Sequence, residues 1–309
     1  MKPFVYTYID LFFPKTMTSK YEEVMKSKNF LPFNINELPP KLIKKAKDEL
    51  KETDEIRGPA LEHMRKMALK EKKLKCPTED EYLIQFLRAR KFDVKRAFSL
   101  LQNKFQVKKS YPDVFDGVDM DELRKCFAQG IAYCLPYRDE DGCVVLVLHL
   151  SKWNPDEFDI CIVLCMLTAL VTRVVDDPAS QICGIRILVD VRGFSLKQMR
   201  CVTPRYIHLL SRALRNCLPA RFKGIHIYNE TTIFQYIWSI LKLFLTDKIK
   251  NRVHFHGDSQ KNLHKFIPKD ILSAEYGGDN TNYNGAEWSQ VEMEKFYAKF
   301  QIMLNSGYE

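Results

Sequence analysis

An α/β fold with a mainly parallel sheet, preceded by a small all-α domain, follows from one change of pattern along the chain. Helical periodicity runs almost alone from residue 18 to about 115, and from about 131 to 255 short strands alternate with helical stretches. A hairpin signal, Asp139-Glu140-Asp141-Gly142 between two alternating runs, marks the change.

The helical half begins where Leu38-Pro39-Pro40 stops the preceding segment. Lys41 to Glu52 then carries Leu42, Ile43, Ala46 and Leu50 at helical spacing. A basic helix is predicted from Arg65 to Lys75, with Arg65, Lys66, Lys70, Lys72, Lys73 and Lys75 on a solvated face. Pro77-Thr78-Glu79-Asp80-Glu81 predicts the next start, Thr78 serving as N-cap and Glu81 completing a capping box. Tyr82, Leu83, Phe86 and Leu87 form its buried face. Arg88-Ala89-Arg90-Lys91-Phe92-Asp93 is a basic break, after which Val94, Ala97, Phe98, Leu101 and Phe105 continue helical spacing to Tyr111-Pro112.

In the second half, Ile131 to Tyr137 and Gly142 to Leu150 are the hairpin strands, and Gly184 to Asp190, Phe222 to Tyr228 and Arg252 to Phe255 are the later ones. Helices are predicted at Asp156 to Val175, Leu196 to Asn216 and Thr232 to Lys250. Alternation of this kind requires right-handed crossovers between parallel strands. The domain boundaries expected are an N-terminal extension over 1–37, a helical domain over 38–115, an α/β domain over 125–280 and a C-terminal tail over 281–309.

The chain has 309 residues, 46% of them hydrophobic, enough for one large domain and one small one. Its nine cysteines form no C-x-x-C pair, which fits reduced thiols in the cytosol. The apolar run Phe4 to Phe13 is interrupted by Asp10 and ended by Pro14, with no small-residue cleavage site following, so a signal peptide is not expected; Met17 offers a second start. The longest other apolar run, Cys161 to Val171, is far short of the ~20 residues that span a bilayer. A net charge of +9 suits a polyanionic partner, a membrane surface or a nucleic acid, without choosing between them.

Catalytic chemistry is not proposed by any motif. The first strand-helix junction, His149-Leu-Ser-Lys-Trp-Asn-Pro155, lacks glycine, and neither G-x-G-x-x-G nor a P-loop occurs. No G-x-S-x-G elbow is present. His254 and His256 share a strand face without a third ligand nearby, so they read as strand histidines and no metal is expected; Asp176-Asp177 before Pro178 reads as an exposed turn. Gly277-Gly278 reads as a turn.

The most informative stretch is Gly224-Ile-His-Ile-Tyr-Asn-Glu230 with the helix after it. Ile233, Phe234, Ile237, Trp238, Ile240, Leu241, Phe244 and Leu245 put one apolar stripe along a helix of about 27 Å. By periodicity alone this is a crossover helix packed on a sheet.

Glu81-Tyr-Leu-Ile-Gln-Phe-Leu-Arg-Ala-Arg-Lys-Phe-Asp93, Gly224 to Glu230, Phe244-Leu-Thr-Asp-Lys-Ile-Lys250 and Glu275-Tyr-Gly-Gly278 resemble, in this order, the CRAL-TRIO lipid-binding family, and within it the branch of α-tocopherol transfer and retinaldehyde-binding proteins. The resemblance covers about residues 38 to 280. It implies a non-enzymatic cytosolic carrier with no cofactor, in which one hydrophobic lipid of the tocopherol, retinoid or carotenoid class lies in an apolar cavity on one face of the sheet. Residues 231 to 250 match the family's mobile gate helix. By position, the ligand lining carries over to Ile162, Cys165, Met166, Ala169, Ile185, Val189, Phe194, Leu210, Ala213, Leu214, Leu218 and Ile225, with Phe234, Ile237 and Leu241 from the gate. Serines that place the tocopherol hydroxyl in that branch appear here as Cys165 and Ala169, a departure that speaks against tocopherol itself. Thr168 is a nearby polar candidate.

The same resemblance implies phosphoinositide binding by Arg221, Lys223, Lys248 and Arg252, hence exchange of cargo at a phosphoinositide-containing membrane and no nucleic-acid partner. Read without it, Lys248 and Arg252 compensate a helix dipole, and Arg221 and Lys223 face solvent. Physics supports a closed carrier: a tail of about 15 carbons costs roughly 12 kcal/mol to expose to water, at about 0.8 kcal/mol per methylene. The alternatives are a phosphatidylinositol or phospholipid exchanger or sensor, and a basic adaptor without cargo.

Overall fold

The computed structural model describes residues 15–309; the apolar run Phe4 to Phe13 and the side chain of Met17 lie outside the described residues. Helix α1 (Lys15–Ser27) leads to a linker and α2 (Pro40–Lys45), which continues as a π-helical turn, Ala46–Leu50, closed by Lys51 in the left-handed region at φ 66°. Helices α3 (Asp54–Lys70), α4 (Asp80–Ala89) and α5 (Val94–Ser110) pack as a small unit around Leu61, Met64, Leu83, Phe86, Leu87 and Leu101. The start of α5 is fixed by Asp93, whose carboxylate accepts from the Arg96 amide. Asp93→Ala is expected to lose about 1 kcal/mol and lower Tm by roughly 2 °C; an unchanged thermal melt would show the cap to be idle.

Two expectations in this half are corrected. The basic helix stops at Lys70, and Leu74–Lys75 form a short strand, β1, paired antiparallel with Gly307–Tyr308 at the far end of the chain. Helix α4 starts at Asp80, which puts Glu79 and not Thr78 at the N-cap position, and no side chain caps it there.

Helices α6 (Pro112–Phe115) and α7 (Met120–Ala128) lead into the sheet. Strands β2 (Ala132–Cys134) and β3 (Val144–His149) are the antiparallel hairpin; β4 (Ile185–Asp190), β5 (Phe222–Tyr228) and β6 (Val253–Phe255) add in parallel, giving the order β2-β3-β4-β5-β6. The connections are α8 (Ile160–Asp176) and α9 (Pro178–Cys183), then α10 (Leu196–Cys201) and α11 (Pro204–Arg212), then α12 (Thr232–Phe244) and α13 (Asp247–Lys250). Helix α14 (Gln260–Leu263) and the segment to Tyr276 cover the other sheet face with Met25 and Phe30.

Three predicted helices are shorter or broken. The helix expected from Asp156 begins at Ile160, where the Asp159 carboxylate caps the Cys161 amide. The helix expected over Leu196 to Asn216 divides at Pro204, which starts α11 and forces Thr203 into the extended region, and ends in a π-helical turn, Ala213–Cys217. The helix expected over Thr232 to Lys250 divides at Leu245 and Thr246, both extended, so the gate segment proper is α12, about 20 Å long.

The stretch 281–309, expected as a tail, folds as α15 (Gly285–Glu294), α16 (Tyr297–Leu304) and β7 (Gly307–Tyr308), with α15 packed on β2 and α7. Asp177 is no exposed turn residue. It caps α9 and pairs with the fully buried Arg138 at 2.6 Å, while Arg138 also donates to the carbonyls of Pro32 and Phe33, tying the linker before α2 to the body.

Candidate functional site

Alternation along the strands sends Ile185, Ile187 and Val189 of β4, and Ile225 and Ile227 of β5, to one face, where α7, α8, α11 and α12 cover them. Every residue assigned to the lining by resemblance belongs to this one apolar cluster or packs against it. Ile187 and Ile227 share this face without having been assigned to the lining, although the period of two through Ile185, Val189 and Ile225 names them.

On the opposite face of the sheet Val145 and Val147 of β3 and Leu188 of β4 have no exposed surface, as central strand residues under a cover should. On the helix-covered face, Ile187, Val189 and Ile225 keep 8%, 9% and 7%. Strand neighbours flank β4 and β5 on both sides, so this residual surface opens above the middle of the sheet. Ile162, Leu218, Phe234 and Ile237 of the same cluster keep comparable residual surface, and Leu210, Ala213, Leu214 and Leu241, packed against it, are half-buried. Cys165, Met166, Ala169 and Ile185 have none and are packed behind the surface. The Thr168 hydroxyl donates to the Leu164 carbonyl of its own helix at 2.9 Å.

The gate helix is seated over this region. Thr231 caps it, Phe194 meets the Phe234 ring edge-on at 6.5 Å, and Ile237 is buried. Trp238 packs edge-on against Phe255. Its outer side leaves Tyr236 60% and Leu243 74% exposed, with Leu196 of α10 exposed as well. Between β5 and α12, Asn229 is left-handed at φ 57° with its side-chain amide donating to the fully buried Asp190 at 3.1 Å, and Glu230 accepts from the Gly257 amide at 2.9 Å.

The four cations gather at the N-terminal ends of β5 and β6, in two different environments. Arg221 and Lys223 both donate to the Glu49 carboxylate, at 2.8 and 3.3 Å, and Arg252 donates to the Phe222 carbonyl between them. Lys248 lies on α13, beyond the gate helix. Burial first, then the charges of Arg252, Lys91, Arg90 and Arg96, pull its ammonium below the ordinary lysine range. Arg90, Lys91, Arg96 and Glu49 were not assigned to the site from sequence; the basic run around Arg90 was the available signal, and nothing local announced Glu49.

His254 and His256 meet a third histidine. His226 of β5 stacks with both at ring distances of 5.2 and 5.3 Å, with Phe266 4.5 Å from His254, and among the described residues no group of three or more metal-ligating side chains is arranged to hold an ion. Burial, followed by the neighbouring histidines and Arg186, pushes the His226 imidazole down to about 3, and burial with His254 brings His256 down to about 4. Because these folded-state values lie below the ordinary value near 6.5, the unfolded chain takes up protons first as the pH falls. Stability from these two groups is therefore full above about pH 6.5 and is expected to drop by about 1.4 kcal/mol per pH unit per histidine below it. The loss continues until the folded-state values near 4 and 3 are reached. His226→Phe should flatten the acid limb of a Tm-against-pH curve; an unaltered limb would exonerate the stack.

A separate cleft of about 530 Å³ lies between the N-terminal linker, the end of α8 and α15–α16. Its charges pair among themselves, Arg173 with Glu292 at 2.7 Å and Lys299 with Asp176, which does not suit an apolar cargo.

Among known proteins, the CRAL/TRIO domain matches residues 128–278 and the CRAL/TRIO N-terminal domain matches 43–103. The chain is 32% identical over 289 residues to the alpha-tocopherol transfer protein-like protein of Homo sapiens, covering 89% of this chain and 84% of that one. It is 29% identical over 274 residues to clavesin-1 of Mus musculus, covering 88% and 77%. The crystal structure of Sfh5 shares the fold at a TM-score of 0.50 and 12% identity, over 80% of this chain and 99% of that one. With both domains matched in order, and a helical unit and a mainly parallel sheet in place over the matched residues, this chain belongs to the CRAL-TRIO family of lipid-binding and transfer proteins.

Proposed function

We propose that this protein carries one hydrophobic lipid, of the tocopherol, retinoid or carotenoid class, above the middle of its sheet and exchanges it at phosphoinositide-containing membranes. The units over 38–115 and 125–280 are its two working parts. The observation that carries this reading is the residual apolar surface at Ile187, Val189 and Ile225 beneath a gate helix whose inner face is Phe234 and Ile237. Apolar side chains around an apolar space gain from an apolar occupant and from nothing else nearby. Cys165 and Ala169 supply no hydroxyl and Thr168 spends its own on the helix, so recognition rests on shape more than on a polar anchor.

Exchange at a membrane is supported by the outer face of the same helix. Tyr236 and Leu243 present apolar surface there, with Leu196 of α10 exposed as well, and α12 is followed by α13, whose Lys248 feels the charges of Arg252 and Arg90. Such a face can enter the interface of an anionic leaflet while the cations hold it there, so the gate opens where the cargo has somewhere apolar to go. The protein would be cytosolic and membrane-associated only in transit.

Mass spectrometry of an organic extract of the purified protein, together with transfer of the extracted lipid between vesicles, tests this directly. One apolar lipid per chain, moved faster to phosphoinositide-bearing acceptors than to neutral ones, is the expected result. A bound phospholipid would make the protein a phospholipid exchanger or sensor; no lipid and no transfer would sink the carrier reading.

A further inference from the structure

Resting on the headgroup reading of the cationic patch, we infer that Glu49 is a built-in competitor at that site: it occupies Arg221 and Lys223 until an anionic phosphate displaces it, and its displacement loosens the joint between the helical unit and the sheet. One carboxylate oxygen of Glu49 takes both cations, at 2.8 and 3.3 Å, while the other faces Lys45 at 3.8 Å. Burial alone would raise this carboxyl; the bonds and charges of Arg221 and Lys223 hold it below the usual carboxylate range.

Glu49 is delivered by a built element and not by a wandering side chain. It lies in the π-helical turn Ala46–Leu50, whose Ala46 and Leu50 are buried with Leu42 against Ala179, Ile182 and Cys183, and whose end is fixed by left-handed Lys51. Three residues on, buried Glu52 receives the Arg88 guanidinium at 2.7 Å. The carboxylate itself stays 37% exposed, within reach of a ligand from outside.

The patch is thus divided. The charges acting on Lys248 are Arg252, Lys91, Arg90 and Arg96, all cations, so this half attracts an anion from a distance; in the Arg221 and Lys223 half one carboxylate already offsets one of the two positive charges. A phosphomonoester, carrying about −1.5 to −2 charges and three acceptor oxygens, outcompetes one carboxylate where it arrives beside the open half. The competition lowers affinity for any anionic ligand by the same factor, which shortens residence on the membrane. A carrier that must leave after each delivery gains from that.

The test uses the full chain with phosphatidylcholine vesicles containing phosphatidylinositol bisphosphate, and free inositol trisphosphate. Glu49→Gln should bind the vesicles about fivefold more tightly, the equivalent of one charge near an anionic leaflet, and adding Arg221→Gln with Lys223→Gln should abolish the gain. In the unsubstituted protein, either probe should speed amide exchange over residues 46–51, a readout that stands even where Glu49→Gln folds poorly. Acceleration by inositol trisphosphate but not by vesicles would assign the same competition to a soluble phosphate. Unchanged or weaker vesicle binding by a folded Glu49→Gln, or static amides at 46–51, while Arg221 and Lys223 still matter for binding, would overturn the inference and leave the headgroup reading intact. Vesicle binding indifferent to Arg221 and Lys223 would remove both.

Discussion

Replacing Arg221, Lys223, Lys248 and Arg252 together by glutamine is expected to weaken binding to phosphoinositide-bearing vesicles by roughly 1,000-fold, at about 1 kcal/mol for each cation near an anionic surface. Glutamine keeps part of each aliphatic stem, so the effect reads charge and not packing. The two pairs should contribute unequally. Glu49 already offsets Arg221 and Lys223, whereas Lys248 and Arg252 stand among further cations, so Lys248→Gln with Arg252→Gln should account for the larger share. Cargo binding presented from detergent should barely change, because the cations sit at strand ends and the apolar cluster contains none of them. Equal loss of vesicle and cargo binding would show that the cations hold the fold, and binding insensitive to salt would remove the electrostatic argument.

Filling the apolar space should abolish cargo binding while the fold survives, and the choice of position decides whether it does. Ala213 opens the π-helical turn, is half-buried and packs against the sheet-facing cluster; Ala169 on α8 has no exposed surface. On the carrier reading Ala213→Phe puts a ring into the cargo space, and the variant should be lipid-free with a Tm near that of the unsubstituted apo protein. Ala169→Phe should instead overpack and lose about 1 to 3 kcal/mol. Lipid content by extraction and Tm by calorimetry separate the two outcomes. An Ala213→Phe protein that is as destabilised as Ala169→Phe would mean a solid interior with no place for cargo.

The residual surface over the sheet explains why the lining could be named from sequence only in outline. Alternation in Ile185 to Asp190 and Phe222 to Tyr228 is a property of each strand alone, so the covered face was legible, and Ile187 and Ile227 with it. Which of those apolar residues border open space depends on how closely α8 and α11 approach, and single-residue chemistry does not encode that. Cys165, Met166 and Ala169 are as apolar as Leu210 and Leu214, yet the first three are packed solid and the other two are half-buried.

The sequence by itself determined the order of elements, the hairpin at Asp139 to Gly142, the parallel strands, the apolar stripe of the gate and the presence of cations beside it, because each is written in a local period, turn or charge. Tertiary structure alone decided the pairing of Leu74–Lys75 with Gly307–Tyr308, the stacking of His226 with His254 and His256, the clamp of Arg138 on the linker and the arrival of Glu49 at Arg221 and Lys223. Each of these joins residues far apart in the chain, and their meeting is set by helix packing and strand register, which no local pattern of residues carries.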